Sequence, residues 1–244
     1  MAEHDPTAYG RRIADEYDEH YEGHWDTEGA VERLAELAGA GPVLELGVGT
    51  GRLALPLADR GLEVHGLDSS EDMLDRLRRK PGADRLKLWT GDFVEIDVPG
   101  AFSLVVLAIN TIFALPDQDS QVRCFEAAAR RLGPGGRFAV EAWIPQLERF
   151  TTGAAVSVRI LREDRVSLDI ARIDPVTQRM ETTQVSFTDG DVRLYPANHR
   201  YAWPSELDLM GRLGGLELET REEDWRRTPF TAHSPTHVSV YRKR

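Results

Sequence analysis

Three glycines, at positions 47, 49 and 51, lie between an apolar run and a helical pattern of apolar residues. This order predicts a buried strand, a tight turn and the start of a helix, which is the junction where parallel α/β sheets bind ligands. A dinucleotide-binding loop has the spacing G-x-G-x-x-G, which would require a glycine where the chain has Arg52. The observed spacing is G-x-G-x-G, with Glu45 two residues before the first glycine. It therefore argues against an NAD-dependent oxidoreductase.

Further polar residues follow the next two predicted strands. Asp68 ends the second strand, about twenty residues after the glycine loop, where a carboxylate can accept hydrogen bonds from both hydroxyls of a ribose. NAD enzymes place an acid at the same point, so Asp68 alone does not distinguish an NAD site from a site for another ligand that contains a ribose. Gly91-Asp92-Phe93 follows the third strand, and Gly133-Pro134-Gly135-Gly136 precedes a fifth predicted strand at 137–143.

Together these segments resemble motifs I, II, III and post-IV of the class I S-adenosylmethionine (SAM)-dependent methyltransferases, over residues 43–143. The resemblance implies SAM as cofactor and S-adenosylhomocysteine as product. It implies that Asp92 takes the adenine amino group, that Glu45 orients the amino group of the methionine part, and that Met73 covers an adenine face. The implied cofactor-binding set is Tyr17, Tyr21, Glu45, Gly47, Gly49, Gly51, Asp68, Ser69, Met73, Asp92, Phe93 and Ala108.

Three other segments are similar to the TDP-aminosugar N-methyltransferases of antibiotic biosynthesis. They are Tyr17-Asp18-x-x-Tyr21, Glu141-Ala142-Trp143 at the end of the fifth strand, and His199-Arg200. That family carries a Tyr-Asp-x-x-Tyr helix, a Glu-x-Trp strand end and an antiparallel insert that forms a dimer surface and ends in a His-Arg pair. The chain departs from it after the fourth strand, where residues 110–114 contain no histidine.

The resemblance and the residue types suggest an acceptor site. His199 is a candidate base or substrate hydrogen-bonder, and Tyr17 with Tyr21 could close over the cofactor. Asn110 interrupts the apolar run of the fourth strand, and a polar group there needs a partner. The candidate catalytic residues are thus His199, Tyr17 and Asn110, and the candidate substrate pocket is Asn110, Glu141, Trp143 and His199. Several of the candidate residues also have a purely structural explanation. His199 could end a strand, and the tyrosines could pack a helix. In the cofactor set, Met73 could fill the core and Glu45 could cap a helix.

Methyl transfer from a sulfonium requires the protein mainly to align the reacting atoms and exclude water. An amine acceptor needs only to arrive neutral, whereas a hydroxyl acceptor needs a base. We therefore expect a SAM-dependent methyltransferase acting on a small natural-product molecule, with an amine favoured over a hydroxyl. A catalytically inactive, SAM-binding protein of the same fold is the remaining alternative.

The composition of the chain argues against several classes of binding partner. A formal net charge of −11 argues against nucleic-acid binding, and no apolar run has membrane-spanning length. The only cysteine, Cys124, excludes an internal disulfide and fits a cytoplasmic protein. No His, Asp, Glu or Cys set has the spacing of metal ligands, so we expect no metal.

Alternating β and α patterns predict a doubly wound, seven-stranded, mostly parallel α/β sheet of the Rossmann-like kind. After Pro145 the pattern changes to period-two alternation, which predicts an antiparallel β insert of three or four strands. Its polar and apolar faces would cover the active-site mouth, a second subunit of a homodimer, or both. The expected divisions are an N-terminal helical lid (1–40), the SAM-binding core (41–150), the insert (151–202) and the completion of the core sheet (203–244).

Overall fold

The computed structural model describes residues 14, 17, 18, 25–150, 152–188 and 190–244. Tyr21 and most of the expected N-terminal lid lie outside these residues. The described elements are α1 (Thr27–Ala38), β1 (Val43–Leu46), α2 (Ala54–Asp59), β2 (Val64–Asp68), α3 (Glu71–Arg78), β3 (Lys87–Thr90), β4 (Phe102–Leu107), α4 (Gln118–Arg131), β5 (Leu132–Trp143), β6 (Ala154–Leu161), β7 (Arg165–Asp174), β8 (Arg179–Thr188), β9 (Asp191–Arg200), α5 (Pro204–Leu213), β10 (Leu216–Glu222) and β11 (Thr236–Lys243).

Seven strands form one sheet in the order β10-β11-β5-β4-β1-β2-β3. Strands β1 to β5 are parallel, and β11 runs antiparallel between β5 and β10. The prediction of a seven-stranded, mostly parallel sheet is confirmed. The chain reverses its direction of travel across the sheet between β1 and β4, so ligands are expected at the carboxyl ends of these two strands.

Each face of this sheet buries a separate apolar core. Helices α1, α2 and α3 cover one face, where Leu34, Leu57 and Leu77 are fully buried. Helices α4 and α5 cover the other, where Phe125 and Leu207 are fully buried. Because both faces are covered, the central strands are continuous apolar runs, as expected for a parallel sheet.

The start of β5 differs from the sequence prediction, which placed it at Arg137. In the structure, β5 begins at Leu132, which pairs with Phe102 of β4, whereas Leu104 pairs with Arg137. The glycine-rich residues between them therefore bulge out of the ladder, and Gly135 has a φ of +70° there. A proline and three glycines indicate a turn by composition, but they do not show that pairing resumes on both sides of it.

The insert is a separate four-stranded antiparallel sheet in the order β6-β7-β8-β9. Its mainly apolar face points to solvent, where Val156, Val158 and Leu194 are 65%, 61% and 59% exposed. On the opposite face, Ile173 packs against the main core and Tyr195 packs near Met73. The insert thus has the two faces that its periodicity predicted. The domain boundaries read from the sequence stay a prediction.

Candidate active site

The glycine loop is fastened to the end of β2. The N–H groups of Gly47 and Val48 donate to the carbonyl oxygen of Leu67 at 2.7 and 3.1 Å. The N–H of Gly49 donates to Oδ2 of Asp68 at 2.8 Å. Gly49 has a φ of +53°, and a Cβ built on it would meet no atom within 4 Å. The loop therefore presents bare backbone to open space, which leaves room for a ligand to approach closely.

Asp68 joins the loop to the start of α3. Its Oδ1 accepts the N–H of Ser70 at 2.9 Å. Burial raises the pKa of this carboxyl, and the N–H groups of Ser70, Gly49 and Ser69 act in the opposite direction. The structure thus gathers Gly49, Asp68 and Ser69 at one point, and a contact of Asp68 with a ribose stays a prediction.

Glu45 is a buried carboxyl with one free oxygen. The residue is 5% exposed, and its Oε2 has no hydrogen-bond partner among the described residues. Burial raises the pKa of Glu45 to about 8; Arg52 lowers it, Asp68 raises it further, and the N–H of Ala54 lowers it. Because Ala54 begins α2, Glu45 faces a helix start, as in the capping alternative. Its second oxygen remains available for a ligand.

Arg52 is a guanidinium without a carboxylate partner in the part of the chain that the structure describes. Its Nη1 donates to Oγ1 of Thr27 at 3.1 Å, and its guanidinium carbon lies 5.5 Å from the ring centroid of Trp25. Its charge lowers the pKa of both Glu45 and Glu141, yet it forms no ion pair with either. An unpaired carboxyl and an unpaired guanidinium complement the ammonium and carboxylate of an α-amino acid. These residues therefore fit the methionine end of SAM.

Sequence reasoning used Arg52 only as a missing glycine. Two signals in the sequence could have marked it as a candidate for ligand binding: its position directly after the glycine loop, and the acidic residue near the end of the preceding strand, Glu45. A third signal, the nearby Glu141, is almost ninety residues away and is brought close only by the sheet.

The expected adenine side is only partly assembled by the described residues. Met73 is 5% exposed and forms a small cluster with Ala14, Tyr17 and Tyr195, apart from the two main cores. This position suits a site wall better than the core alternative. Asp92 is exposed, and its Oδ1 accepts the N–H of Val94 at 3.0 Å.

Phe93, the other residue expected beside the adenine ring, is half-buried against the main core. Its packing and the exposed position of Asp92 leave both adenine contacts as predictions. Packing requires a glycine at position 51, because a Cβ there would clash with the side chain of Leu77 in α3.

Tyr17 is held beside the glycine loop by its neighbour Asp18. The Asp18 carboxylate accepts a hydrogen bond from Oγ1 of Thr50 at 2.7 Å and forms an ion pair with Nζ of Lys80 at 2.6 Å. Lys80 also donates to the carbonyl oxygen of Thr50 at 2.8 Å. Burial alone would raise the pKa of Asp18, but hydrogen bonds from Lys80 and Thr50 outweigh it and lower the pKa. Sequence reasoning missed this anchor because its three members lie far apart in the chain.

Asn110 finds its partner in the neighbouring strand. It has a φ of +60°, its Oδ1 accepts the N–H of Trp143 at 2.7 Å, and its own N–H donates to the carbonyl oxygen of Glu141 at 3.0 Å. The Glu141 carboxylate accepts the N–H of Ile109 at 2.9 Å, and burial raises its pKa. The carboxyl ends of β4 and β5 are therefore tied together next to Ala108.

An aromatic wall continues from this edge. The ring of Trp143 lies 4.9 Å from Phe113 and 6.2 Å from Tyr201, measured between centroids. Phe113 and Tyr201 are buried. Trp143 thus belongs to an apolar wall at this edge, and its expected part in excluding water from a substrate stays a prediction.

His199 lies in β9 opposite Met180, on the same face of the insert as Tyr195. Its Nδ1 is buried and has no hydrogen-bond partner among the described residues. Burial lowers the pKa of His199 to about 4. A group with so low a pKa is neutral near pH 7 and is a weak base. That pKa is unfavourable for a general base, and both acceptor-side roles of His199 stay predictions.

No group of three or more His, Cys, Asp or Glu side chains in the described ranges is arranged to hold a metal ion. Among the same residues, no helix combines the length and the apolar character needed to span a membrane.

Comparison with known proteins identifies relatives along the whole chain. The methyltransferase domain family matches residues 43–136. The structure is similar to the CcbJ methyltransferase from Streptomyces caelestis, with 42% sequence identity, a TM-score of 0.91, and coverage of 98% of this chain and 99% of that one.

Two further relatives are more distant. The cypemycin N-terminal methyltransferase of a Streptomyces species is 29% identical over 195 residues, which are 79% of each protein. The SAM-bound amino pentose methyltransferase CalS10 from Micromonospora echinaspora, involved in calicheamicin biosynthesis, has 23% identity and a TM-score of 0.70, and the match covers 93% of this chain and 96% of that one. At that identity, the likeness to CalS10 is one of fold.

Proposed function

The chain belongs to the class I SAM-dependent methyltransferases, and on that premise we propose that it methylates an amine of a small natural-product molecule. The observation that carries the choice of an amine is the placement of His199, the expected base, whose Nδ1 is buried without a hydrogen-bond partner among the described residues. Burial also lowers its pKa to about 4. A hydroxyl acceptor needs a base with a pKa near the working pH. An amine that arrives neutral needs none, and an apolar pocket favours its neutral form.

Each residue of the chain has a limited task in this proposal. SAM bound at the glycine loop supplies a methyl group that is already activated by its sulfonium. Glu45 and Arg52 hold the amino-acid end, and Asp68 holds the ribose. Met73 covers one face of the adenine. On the acceptor side, Trp143 excludes water, and His199 accepts a hydrogen bond from the substrate.

The cypemycin relative supports a nitrogen acceptor in a natural product, and CalS10, which is alike in fold, adds a second acceptor class to the test. One is a methyltransferase of the cypemycin N-terminus, and the other is an amino pentose methyltransferase. Neither relative identifies the acceptor of this chain. They indicate two chemical classes to test, the amino group of a sugar and the N-terminal amine of a peptide.

Purified protein incubated with SAM should methylate members of an amine panel made of amino sugars and short peptides with free N-termini. Mass spectrometry of the products would detect the added methyl groups, and matched analogues with a hydroxyl in place of the amine serve as the control. Methylation of the hydroxyl analogues alone would replace the proposal with O-methylation. Binding of S-adenosylhomocysteine without methylation of either class would favour the inactive alternative.

We also propose that the outer face of the insert forms a homodimer. Its apolar residues are exposed across all four strands: Val156, Val158, Ile170, Phe187, Val192 and Leu194. Exposed apolar patches of this kind mark protein–protein contacts in soluble proteins. The charges of segment 151–202 balance, with seven Arg against seven Asp and Glu, so like-charge repulsion does not oppose the contact.

Light scattering at micromolar concentration should report about twice the chain mass, because pairing of two such faces removes their apolar side chains from water. The double variant Val158→Asp with Leu194→Asp should be monomeric. Val176→Asp serves as the control, because Val176 is 90% exposed in the turn between β7 and β8 and lies away from this face. A monomeric wild-type protein would contradict the dimer.

A further inference from the structure

We propose that Gln121 is a positioning residue for methyl transfer. Its side-chain amide fixes two candidate substrate-site residues relative to each other: Asn110 on the core and His199 on the insert. This inference rests on the proposed function, because it assigns Gln121 to the acceptor side of that same site.

The contacts of Gln121 join the two segments directly. Gln121 lies in α4 and is fully buried. Its Nε2 donates to the carbonyl oxygen of Ile112 at 3.0 Å and to that of Arg200 at 2.8 Å. Ile112 is two residues after Asn110, and Arg200 directly follows His199. One side-chain amide thus uses both of its N–H groups to hold the backbone beside Asn110 and beside His199.

The remaining oxygen of the amide is also used. Oε1 of Gln121 accepts a hydrogen bond from Nη1 of Arg200 at 2.5 Å. Nη2 of Arg200 donates to Oε1 of Gln178 at 3.0 Å and to Oε1 of Glu206 at 2.7 Å. Burial would raise the pKa of Glu206, but hydrogen bonds from Gln178, Arg200 and Gln118 outweigh it and lower the pKa, so the carboxylate is ionised. A buried network in which every group has a partner is rigid.

The sheets by themselves do not set this spacing. Asn110 follows β4 of the seven-stranded sheet, whereas His199 belongs to β9 of a separate sheet. Among the described strands, no ladder of backbone hydrogen bonds connects the two sheets. In-line transfer loses rate steeply when reacting groups are displaced by about 1 Å. The buried amide of Gln121 supplies a direct connection between the segments that carry Asn110 and His199.

Gln121→Met and Gln121→Glu test this assignment, with Cys124→Ala as a matched control. Methionine has similar length but no donor, and glutamate keeps the acceptor for Arg200 while losing both donors. Cys124 is buried on the same helix and takes no part in the network. NMR titration with bound S-adenosylhomocysteine, with the signal assigned through His199→Asn, should give His199 a pKa of about 4 in the wild type. In both Gln121 variants the pKa should move toward 6.5 as the strand loosens and water enters.

Activity provides the second measurement. For any amine that the wild type methylates, kcat/KM should fall at least tenfold, or about 1.4 kcal/mol, in both Gln121 variants. The Kd of S-adenosylhomocysteine should stay within about twofold, because Gln121 lies on the acceptor side. The control Cys124→Ala should change the melting temperature while leaving kcat/KM and the pKa of His199 unchanged.

A His199 pKa that is the same in both Gln121 variants as in the control would overturn the assignment. If the wild type methylates no amine, the proposed function fails, while the NMR result still decides whether Gln121 holds the site. Should Gln121→Met not fold, Gln121→Glu retains the contact with Arg200. In the wild type, the Gln121 amide protons should exchange far more slowly than those of exposed Gln146, and equal rates would also overturn the assignment.

Discussion

The affinity of the protein for S-adenosylhomocysteine should rise about tenfold per pH unit between about pH 5.5 and 7.5, where Glu45 must lose a proton to bind the ligand ammonium. In the free protein, burial raises the pKa of Glu45 to about 8. The charged groups that act on it are Arg52, which favours the carboxylate, and Asp68, which opposes it. Below pH 8 the ligand therefore binds only after a proton has left, and that cost grows as the pH falls.

Isothermal titration calorimetry in buffers of different ionisation enthalpy would measure both the Kd and the released proton. Glu45→Gln should abolish the pH dependence and weaken binding at pH 7.5 by roughly tenfold or more, since a charge-assisted hydrogen bond contributes about 1.5–3 kcal/mol. A nucleoside that lacks the amino-acid end, 5′-methylthioadenosine, is the ligand control and should bind equally at each pH. A pH dependence shared by both ligands would assign the proton to another group.

The same carboxyl makes the stability of the free protein depend on pH. Because the pKa of Glu45 in the folded protein lies above its ordinary value of 4.5, the unfolded chain ionises first as the pH rises. The contribution of Glu45 to the free energy of unfolding should therefore decrease between about pH 4.5 and 8. Glu45→Gln should remove much of this decrease, so that the variant is more stable near pH 7 although it binds the cofactor less well.

Replacement of Arg52 by methionine should weaken binding of S-adenosylhomocysteine roughly 10- to 100-fold, because a charge-assisted contact with the ligand carboxylate is lost. Methionine keeps the length of the side chain beside Trp25, so the change acts mainly on charge. Arg52→Lys should lie between wild type and Arg52→Met, because an ammonium keeps the charge without the planar fork of donors.

The ligand without an amino-acid end again separates two explanations for Arg52. Binding of 5′-methylthioadenosine should change by less than about twofold in Arg52→Met, because this nucleoside has no carboxylate. An equal loss for both ligands would mean that the substitution distorts the glycine loop, and Arg52 would then be a structural residue. The pKa of Glu45 should also rise further in this variant, since Arg52 lowers it in the wild type.

The placement of the glycine loop beside Asp68 was predictable because its signals are local. The glycines at 47, 49 and 51 specify a turn through their own backbone conformations, and each has a positive φ in the structure. Asp68 could be placed near them because adjacent parallel strands end at the same edge of a sheet. Alternating patterns also predicted the two sheets, although the bulge at the start of β5 depended on pairing that composition does not reveal.

Local patterns thus predicted the seven-stranded sheet and the insert, and the resemblance of the motifs in residues 43–143 implied the family. Only the tertiary structure brought together Arg52 with Glu141, Asp18 with Lys80, and Gln121 with the backbone beside Asn110 and His199. Their members are separated by long stretches of chain, and no local pattern encodes such a distance. Periodicity also showed that the insert has two different faces. Which of them meets the core was decided by packing, because alternation along a strand has no inside or outside until a partner covers one side.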